Sequence, residues 1–338
     1  MPRVSIIICT CDRAESLRKT LSSLAKCVVP PGMTAQLLVV DNGVAQSAGS
    51  VIEQSQIPAM RIQYIRLPPP AGLSRARNRG IAEADGEVLL FTDDDVRPPA
   101  NWIEEMFRPI LERKADAVAG GVRIAEHLLR PWMTSVHRSW LASTEYLDPA
   151  APQEMVGANM AIARHVLQRV PQFDEQLGPG ALGQSDDSLF SWQLLRAGYR
   201  ITSAFDVAVE HHFDPSRLTR SSFKMMALRR GRSSAYLMHH WEHGGVRWPR
   251  IRVLRDTMRL RAGRVLHMLE CSAAEGMPAW EMSLLARIGK HRQWQREKAR
   301  PRMYQQFGLV KSTATDESAH PDADDATTEF CTRTSDVL

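Results

Sequence analysis

The chain has 338 residues, 43% hydrophobic and 24% charged, the proportions of a folded globular protein with room for one broad core plus an appendage, or for two domains. Its five cysteines, Cys9, Cys11, Cys27, Cys271 and Cys331, are odd in number and scattered, which argues against a disulfide framework, and Cys9-Thr10-Cys11 lacks the second close pair or histidine cluster of a zinc site. The formal charge of +5 hides an asymmetry: Arg217 to Arg302 carries 20 Lys and Arg against 6 Asp and Glu, a surplus of +14 that leaves −9 on the rest.

The amino terminus enters the strand-like run Val4 to Cys9 with no basic stretch and cleavage site ahead of it, which argues against a signal peptide. No run approaches the roughly 18 apolar residues of a membrane helix, so a cytoplasmic protein, soluble or peripheral at the inner face of a membrane, is expected. Leu17, Leu21 and Leu24 then recur at helical spacing, and Leu37 to Val40 forms a second strand that ends in the turn Asp41-Asn42-Gly43. This is the βαβ pattern of a mostly parallel sheet. Arg61 to Leu67 reads as a third strand, stopped by Pro68-Pro69-Pro70 and Ala71-Gly72. A helix from about Ser74 to Ala84 leads through Gly86 to the apolar run Val88-Leu89-Leu90-Phe91. A parallel sheet brings all four strand ends, at Thr10 to Asp12, Asp41, the proline loop and Asp93, to one edge.

Further on, Trp102, Met106, Ile110 and Leu111 suit a helix packed on the sheet, and Ala115 to Ile124 another strand. His127 to Asp148 has no clear assignment; its Trp132, Trp140 and Tyr146 read as a mobile flap or one wall of an acceptor site. Met155 to Ile162 is a strand interrupted by Gly157, and Asp186-Asp187 opens a helix that runs to about Ala197 and closes at Gly198. Tyr199 to Phe205 returns to strand. From Leu218 the pattern is helical and rich in Arg, Trp and Met, with breaks expected at Gly244-Gly245 and Gly276-Met277-Pro278. After Lys311 seven acidic residues and few apolar ones predict a disordered tail.

The stretch Phe91-Thr92-Asp93-Asp94-Asp95-Val96 concentrates the chemistry. Carboxylates crowded at one strand end repel each other and are pushed toward protonation unless a cation or donor hydrogen bonds compensate. Mg²⁺ or Mn²⁺ would do so, binding through one or two carboxylates and keeping positions open for substrate phosphates. The plainer alternative is a solvated acidic turn, with Asp95 or a neighbour capping a helix begun at Pro98.

Seven motifs in order, covering Val4 to Arg232, resemble the family-2 inverting glycosyltransferases of the GT-A fold. They are Ile8-Cys9-Thr10-Cys11-Asp12-Arg13; Val39-Val40-Asp41-Asn42-Gly43; Gly72-Leu73-Ser74-Arg75-Ala76-Arg77-Asn78-Arg79-Gly80-Ile81; the triplet itself; Gly157-Ala158-Asn159-Met160-Ala161; Phe173-Asp174-Glu175 with Ser185-Asp186-Asp187-Ser188; and Val209-Glu210-His211-His212-Phe213. The resemblance implies that Thr10, Asp12 and Asp41 face the nucleoside, that Arg77 and Asn78 serve the donor, with the Arg77 guanidinium meeting its diphosphate, and that Asp93 holds the ribose or a metal water. It implies Asp95 as the metal ligand with His211 near the metal or diphosphate, Asp94 as a spacer facing away, and Gly157, Asn159 and Asp186 at the sugar and acceptor pocket. Asp187 takes the family's general-base position, with Asp186 standing where the family has Glu. Each residue also has a structural reading, as a cap, a turn or a solvated arginine.

On this resemblance the fold is α/β, a GT-A catalytic region over 1–216 with a mostly parallel Rossmann-like sheet, then a basic helical extension over 217–310 and the acidic tail 311–338. The expected activity is metal-dependent transfer of a sugar from a nucleotide-diphosphate sugar to a hydroxyl, on a sugar or lipid-linked glycan, with inversion. The surplus of +14 would suit an anionic membrane surface better than nucleic acid, since no nucleic-acid-binding signature accompanies it. A sugar-phosphate nucleotidyltransferase is the main alternative, but Thr10 to Glu15 has no glycine for its phosphate loop. A non-catalytic nucleotide-binding relative would be expected to have lost Asp95 or Asp187.

Overall fold

The computed structural model describes residues 3–45, 47–69, 71–150 and 154–312. The expected disordered tail lies outside these residues, apart from Lys311 and Ser312. The chain begins β1 (Arg3–Thr10), α1 (Ala14–Leu24), β2 (Thr34–Asp41), α2 (Ala48–Glu53), β3 (Met60–Arg66), α3 (Leu73–Glu83) and β4 (Val88–Asp93). Strands β1, β2 and β4 are buried along nearly their whole length because helices cover both faces of a parallel sheet, hence their unbroken apolar runs. Leu17, Leu21 and Leu24 are the buried face of α1, as their spacing predicts.

There follow β5 (Val96–Arg97), α4 (Trp102–Leu111), β6 (Ala117–Ile124), α5 (Ser135–Trp140), β7 (Asn159–Ala163), α6 (Asp186–Arg196) and β8 (Ile201–His211). The eight strands among the described residues form one sheet in the order β3-β2-β1-β4-β7-β6-β8-β5. The first four are parallel, whereas β7 runs antiparallel to both β4 and β6, so the sheet is mixed rather than mostly parallel beyond β4. Strand β8 is longer than expected: Tyr199 to Phe205 and the later Val209 segment are one strand, with a register shift opposite Gly120 and Val122 of β6. Helix α4 starts at Trp102 behind Asn101, so no residue of the Asp triplet caps it.

Register sets the functional edge. Thr10 of β1 pairs with Asp41 of β2, Cys9 pairs with Asp93 of β4, and His211 of β8 pairs with Val96 of β5. The loops after β1, β2 and β4 thus stand side by side, at the carboxyl ends where open α/β sheets bind ligands.

The carboxy-terminal helices are α7 (Arg220–His240), α8 (Pro249–Leu266), α9 (Met268–Cys271) and α10 (Ala279–Glu297), separated at the two expected glycine breaks. Phe223, Met282 and Leu285 share a second core with Leu128, Leu141 and Phe213. Trp132 and Trp140 pack against that core rather than forming a flap, Trp132 lying edge-on to His137 and Phe223. A third cluster joins Leu177 and Leu189 to Tyr236 and Trp241. At its base the buried Asp174 accepts hydrogen bonds from Tyr236 and Tyr304, each at 2.7 Å, and pairs with Lys311 at 2.5 Å. Burial and this carboxylate hold both phenols protonated, well above the ordinary tyrosine range. Among the described residues, no helix is long and apolar enough to cross a membrane.

Candidate active site

At the end of β4 the chain turns through the three aspartates, and each meets a different environment. Asp93 keeps about a quarter of its side chain exposed. Asp94, expected to face away, instead points inward and is completely buried. Thr10 donates to its Oδ2 at 2.6 Å, and Thr20 donates to its backbone carbonyl at 2.7 Å. Burial pushes the Asp94 carboxyl up to about 7, against the opposing pull of Arg13. A buried carboxylate cannot serve as a spacer; this one fastens the turn to β1 and α1.

Arg13 closes the turn from above. Its Nη2 lies 2.8 Å from Asp94 Oδ1, and its Nη1 donates to Asp95 Oδ2 at 2.7 Å. Asp95 is nearly buried, and although burial pushes its carboxyl up, His211, Arg13 and Arg217 together hold it well below the usual carboxylate range. The backbone N–H of His212 donates to the Asp95 carbonyl at 2.7 Å, so β8 and the turn are tied together directly.

His211 is buried, and its Nδ1 lies 3.0 Å from the Leu141 carbonyl. A carbonyl only accepts, so the proton sits on Nδ1, and Nε2 faces Asp95 Oδ1 at 3.3 Å. A lone pair opposite a carboxylate oxygen is repulsive unless a proton or cation lies between. That oxygen is buried and meets only the His211 ring among the described residues, so the gap takes either a second imidazole proton, which makes the pair a salt bridge, or a cation. Carboxylate and imidazole facing one another, beside the more open Asp93, therefore fit a divalent cation. Among the described residues no three His, Cys, Asp or Glu side chains gather into a complete cation site, so this pair would supply two ligands and leave the remaining positions to a bound phosphate or water.

The other half of the site is built on α3 and α6. Arg77, expected to clamp a diphosphate, is buried on the inner face of α3. Its Nη1 donates to Asp186 at 2.5 Å, its Nη2 lies 3.6 Å from Asp93, and its guanidinium covers the Phe173 ring. With its charge committed to two carboxylates, it joins β4 to α6 as a strut. Gly157 allows this, because a Cβ there would collide with the Arg77 guanidinium. Asp186, expected at the sugar pocket, is the buried end of that strut.

Asp187 is the second residue of α6, behind Ser185 in the left-handed region at φ 70°. It is not the cap of its helix. Gly157 N donates to its Oδ2 at 3.0 Å and Ser188 N to its Oδ1 at 2.9 Å. Burial and the neighbouring Asp186 push its carboxyl up to about 7 in spite of Arg77. A half-buried carboxylate with that proton affinity has the strength of a general base near neutral pH.

Four other expected residues have structural partners. Asn159 is fully buried: its amide donates to the Gly121 and Val207 carbonyls at 2.8 and 3.1 Å, and its oxygen accepts from Trp102 Nε1 at 2.8 Å. It is therefore a core junction between β7, β6, β8 and α4. Asn159→Leu is expected to cost about 1–3 kcal/mol for each partner left unsatisfied. Chemical denaturation measures the loss, and a KM change in the folded fraction would restore a pocket role. Asn78 clamps Phe173, donating to its carbonyl at 3.0 Å and accepting from its N–H at 2.8 Å, so it positions the loop before α6 rather than a donor. Asp12, at φ 54°, accepts from Val44 N and Ala45 N and so pins the loop after β2 instead of capping α1. Asp41 is buried, taking Gly43 N at 2.9 Å and the Tyr64 hydroxyl at 3.0 Å. Arg13 has no role assigned from sequence, although it is the last residue of the first motif. Glu154 and Arg230 also stand near Asp187; Arg230 lies in the Arg229-Arg230-Gly231-Arg232 stretch that continues the family likeness, whereas Glu154 has no sequence signal.

Comparison with known proteins agrees with this construction. Residues 5–170 match the family described as Glycosyl transferase family 2. The chain is 25% identical over 228 residues to glycosyltransferase AglE of Haloferax volcanii, covering 67% of this chain and 72% of that protein. It is 33% identical over 135 residues to the succinoglycan biosynthesis protein ExoM of Rhizobium meliloti, covering 39% and 43% of the two chains. The mannosyltransferase PcManGT of Pyrobaculum calidifontis, solved with GDP-Man and Mn²⁺, superposes with a TM-score of 0.52 at 18% identity, over 85% of this chain and 69% of that one. The chain belongs to glycosyl transferase family 2, and its mixed α/β sheet with flanking helices is the GT-A fold of those glycosyltransferases.

Proposed function

We propose that this glycosyltransferase moves a sugar from a nucleotide-diphosphate sugar to a hydroxyl of a sugar or lipid-linked glycan acceptor, with inversion and with a divalent cation at the diphosphate. The observation that carries the reading is Asp187: a carboxylate raised to about 7, held by two backbone N–H groups, on the same edge as the strand-end aspartates. Inversion needs one base on the acceptor side while the nucleotide diphosphate leaves on the other. In this reading Asp187 takes the acceptor proton, and Asp186 and Arg77 fix the start of α6 beneath it. The loops pinned by Asp12 and Asp41, with Thr10, bound the nucleoside end, and Asp93 has the exposure to accept from a ribose hydroxyl. Asp95 and His211 would hold Mn²⁺ or Mg²⁺, which when bound neutralises charge on the leaving diphosphate.

Thermal-shift measurements with UDP, GDP and dTDP, each with and without Mn²⁺, test donor binding, since a ligand of the native state raises its apparent stability. One nucleotide diphosphate is expected to raise Tm markedly more with Mn²⁺ than without. Asp95→Ala is expected to abolish the Mn²⁺-dependent part and to make turnover insensitive to chelator. If wild-type turnover ignores chelator, the cation has no part in the reaction. The anomeric configuration of the product, read by proton NMR, decides between inversion and retention.

A further inference from the structure

The +14 segment is less uniformly basic in three dimensions than in sequence. Three of its six acids are fully buried, and each gathers basic side chains: Glu281 takes Arg220 and Arg264, Asp256 takes Arg255, Arg287 and His291, and Glu297 takes Arg300 and His240. These pairs take up Arg220 of α7 and Arg287 of α10. Helix α8 carries more arginines than either of them. Among the described residues, only Arg255 and Arg264 of its six arginines meet a carboxylate.

The outward face of α8 is apolar. Trp248, Ile251, Leu254, Met258, Val265 and Leu266 are between 57% and 80% exposed. At 3.6 residues per turn they fall within an arc of about 120°. The buried Asp256 and Leu260 occupy the opposite face, against the rest of the protein. Arg250 and Arg261 border the stripe on one side and Arg252 and Arg259 on the other, while Arg255 falls inside the arc and pairs with Asp256. The only acid of α8 is the buried Asp256, so every exposed charge on this helix is positive. The stripe continues past the helix end into Met268 and Leu269, which are also exposed.

We propose that α8 is an interfacial helix that lays this enzyme flat on an anionic phospholipid bilayer, its apolar stripe in the acyl boundary and its two rows of arginine against the lipid phosphates. A stripe of this width with arginine on both margins is complementary to that surface in polarity and in charge. A protein partner would be expected to meet arginines with carboxylates at fixed points, whereas a lipid surface offers phosphate along both margins, where Arg250, Arg252, Arg259 and Arg261 meet no carboxylate among the described residues. This inference is independent of the assignment of Asp187 and the cation.

Co-sedimentation of the full-length protein with vesicles of equimolar phosphatidylcholine and phosphatidylglycerol, against phosphatidylcholine alone, tests it. The wild type is expected to bind the mixed vesicles and to release as salt is raised. Leu254→Glu with Met258→Glu, and separately Arg252→Gln with Arg259→Gln and Arg261→Gln, are each expected to lower that binding at least about tenfold. All five positions are on the exposed face, so circular dichroism and Tm should stay at wild-type values. Wild-type protein that ignores the mixed vesicles, or variants that bind as well as it does, would overturn the proposal. So would a solution dimer, seen by analytical ultracentrifugation, that the Leu254→Glu and Met258→Glu pair converts to monomer, since a second copy would then cover the stripe.

Discussion

Replacing Asp187 by asparagine is expected to lower turnover by a factor of about 10²–10⁴, the range a positioned general base contributes, with donor affinity close to that of the wild type. Asparagine keeps the shape and one of the two acceptor positions now used by Gly157 N and Ser188 N, so the start of α6 should stay in place. In the proposed reading donor affinity belongs to the loops after β1, β2 and β4, whereas the Asp187 carboxylate takes Gly157 N and Ser188 N. The pH profile offers an independent check. The wild-type carboxyl sits at about 7, far above a free aspartate, and a base works only when ionised. The limiting rate on kcat/KM should therefore fall about tenfold per pH unit below neutrality and level off above it. In Asp187→Asn that acid limb should vanish from the residual activity. A variant that keeps most of its turnover, or keeps the acid limb unchanged, would remove Asp187 as the base.

The asymmetry between what could and could not be read in advance follows from the range of the interactions. Strands β1, β2 and β4 were legible because burial on both faces demands unbroken apolar runs, and their common edge follows from parallel pairing alone. That placed Thr10, Asp41 and Asp93 together before any coordinates. The antiparallel β7 and the long β8 were less legible, because their partners are set by a sheet order that sequence periodicity does not encode. Side-chain surroundings were the hardest to read: several polar residues expected at the ligand have structural partners in the fold. Asn159 looks the same in a sequence whether it meets a sugar or, as here, Trp102 and two backbone carbonyls. Arg75, Arg77 and Arg79 all lie on α3, and only the packing of Phe173 and Gly157 shows that the middle one turns inward. Asp174 draws in Tyr236, Tyr304 and Lys311 from far along the chain, a convergence with no local signature.

Arg77 carries the largest expected effect on stability. Its guanidinium is buried between Asp186 at 2.5 Å and Asp93 at 3.6 Å, and those carboxylates compensate the burial that would otherwise favour its neutral form. Arg77→Met preserves much of the volume but leaves Asp186 buried without its counter-charge, and breaking such a pair by removing one partner costs about 3–5 kcal/mol. Removing both charges is different. In Arg77→Met with Asp186→Asn no uncompensated ion remains, so the double variant should regain most of the stability that the single variant loses. Activity need not follow stability in this cycle. Arg77 also opposes the burial that raises Asp187, so without it the base should titrate still higher and any residual activity should shift to more alkaline pH. Urea unfolding of the wild type, both singles and the double gives the coupling directly. A loss below about 1 kcal/mol in Arg77→Met, a value typical of an exposed ion pair, would mean that the strut does not bear on the fold. A double variant no more stable than that single would mean that Asp186 is not its charge partner.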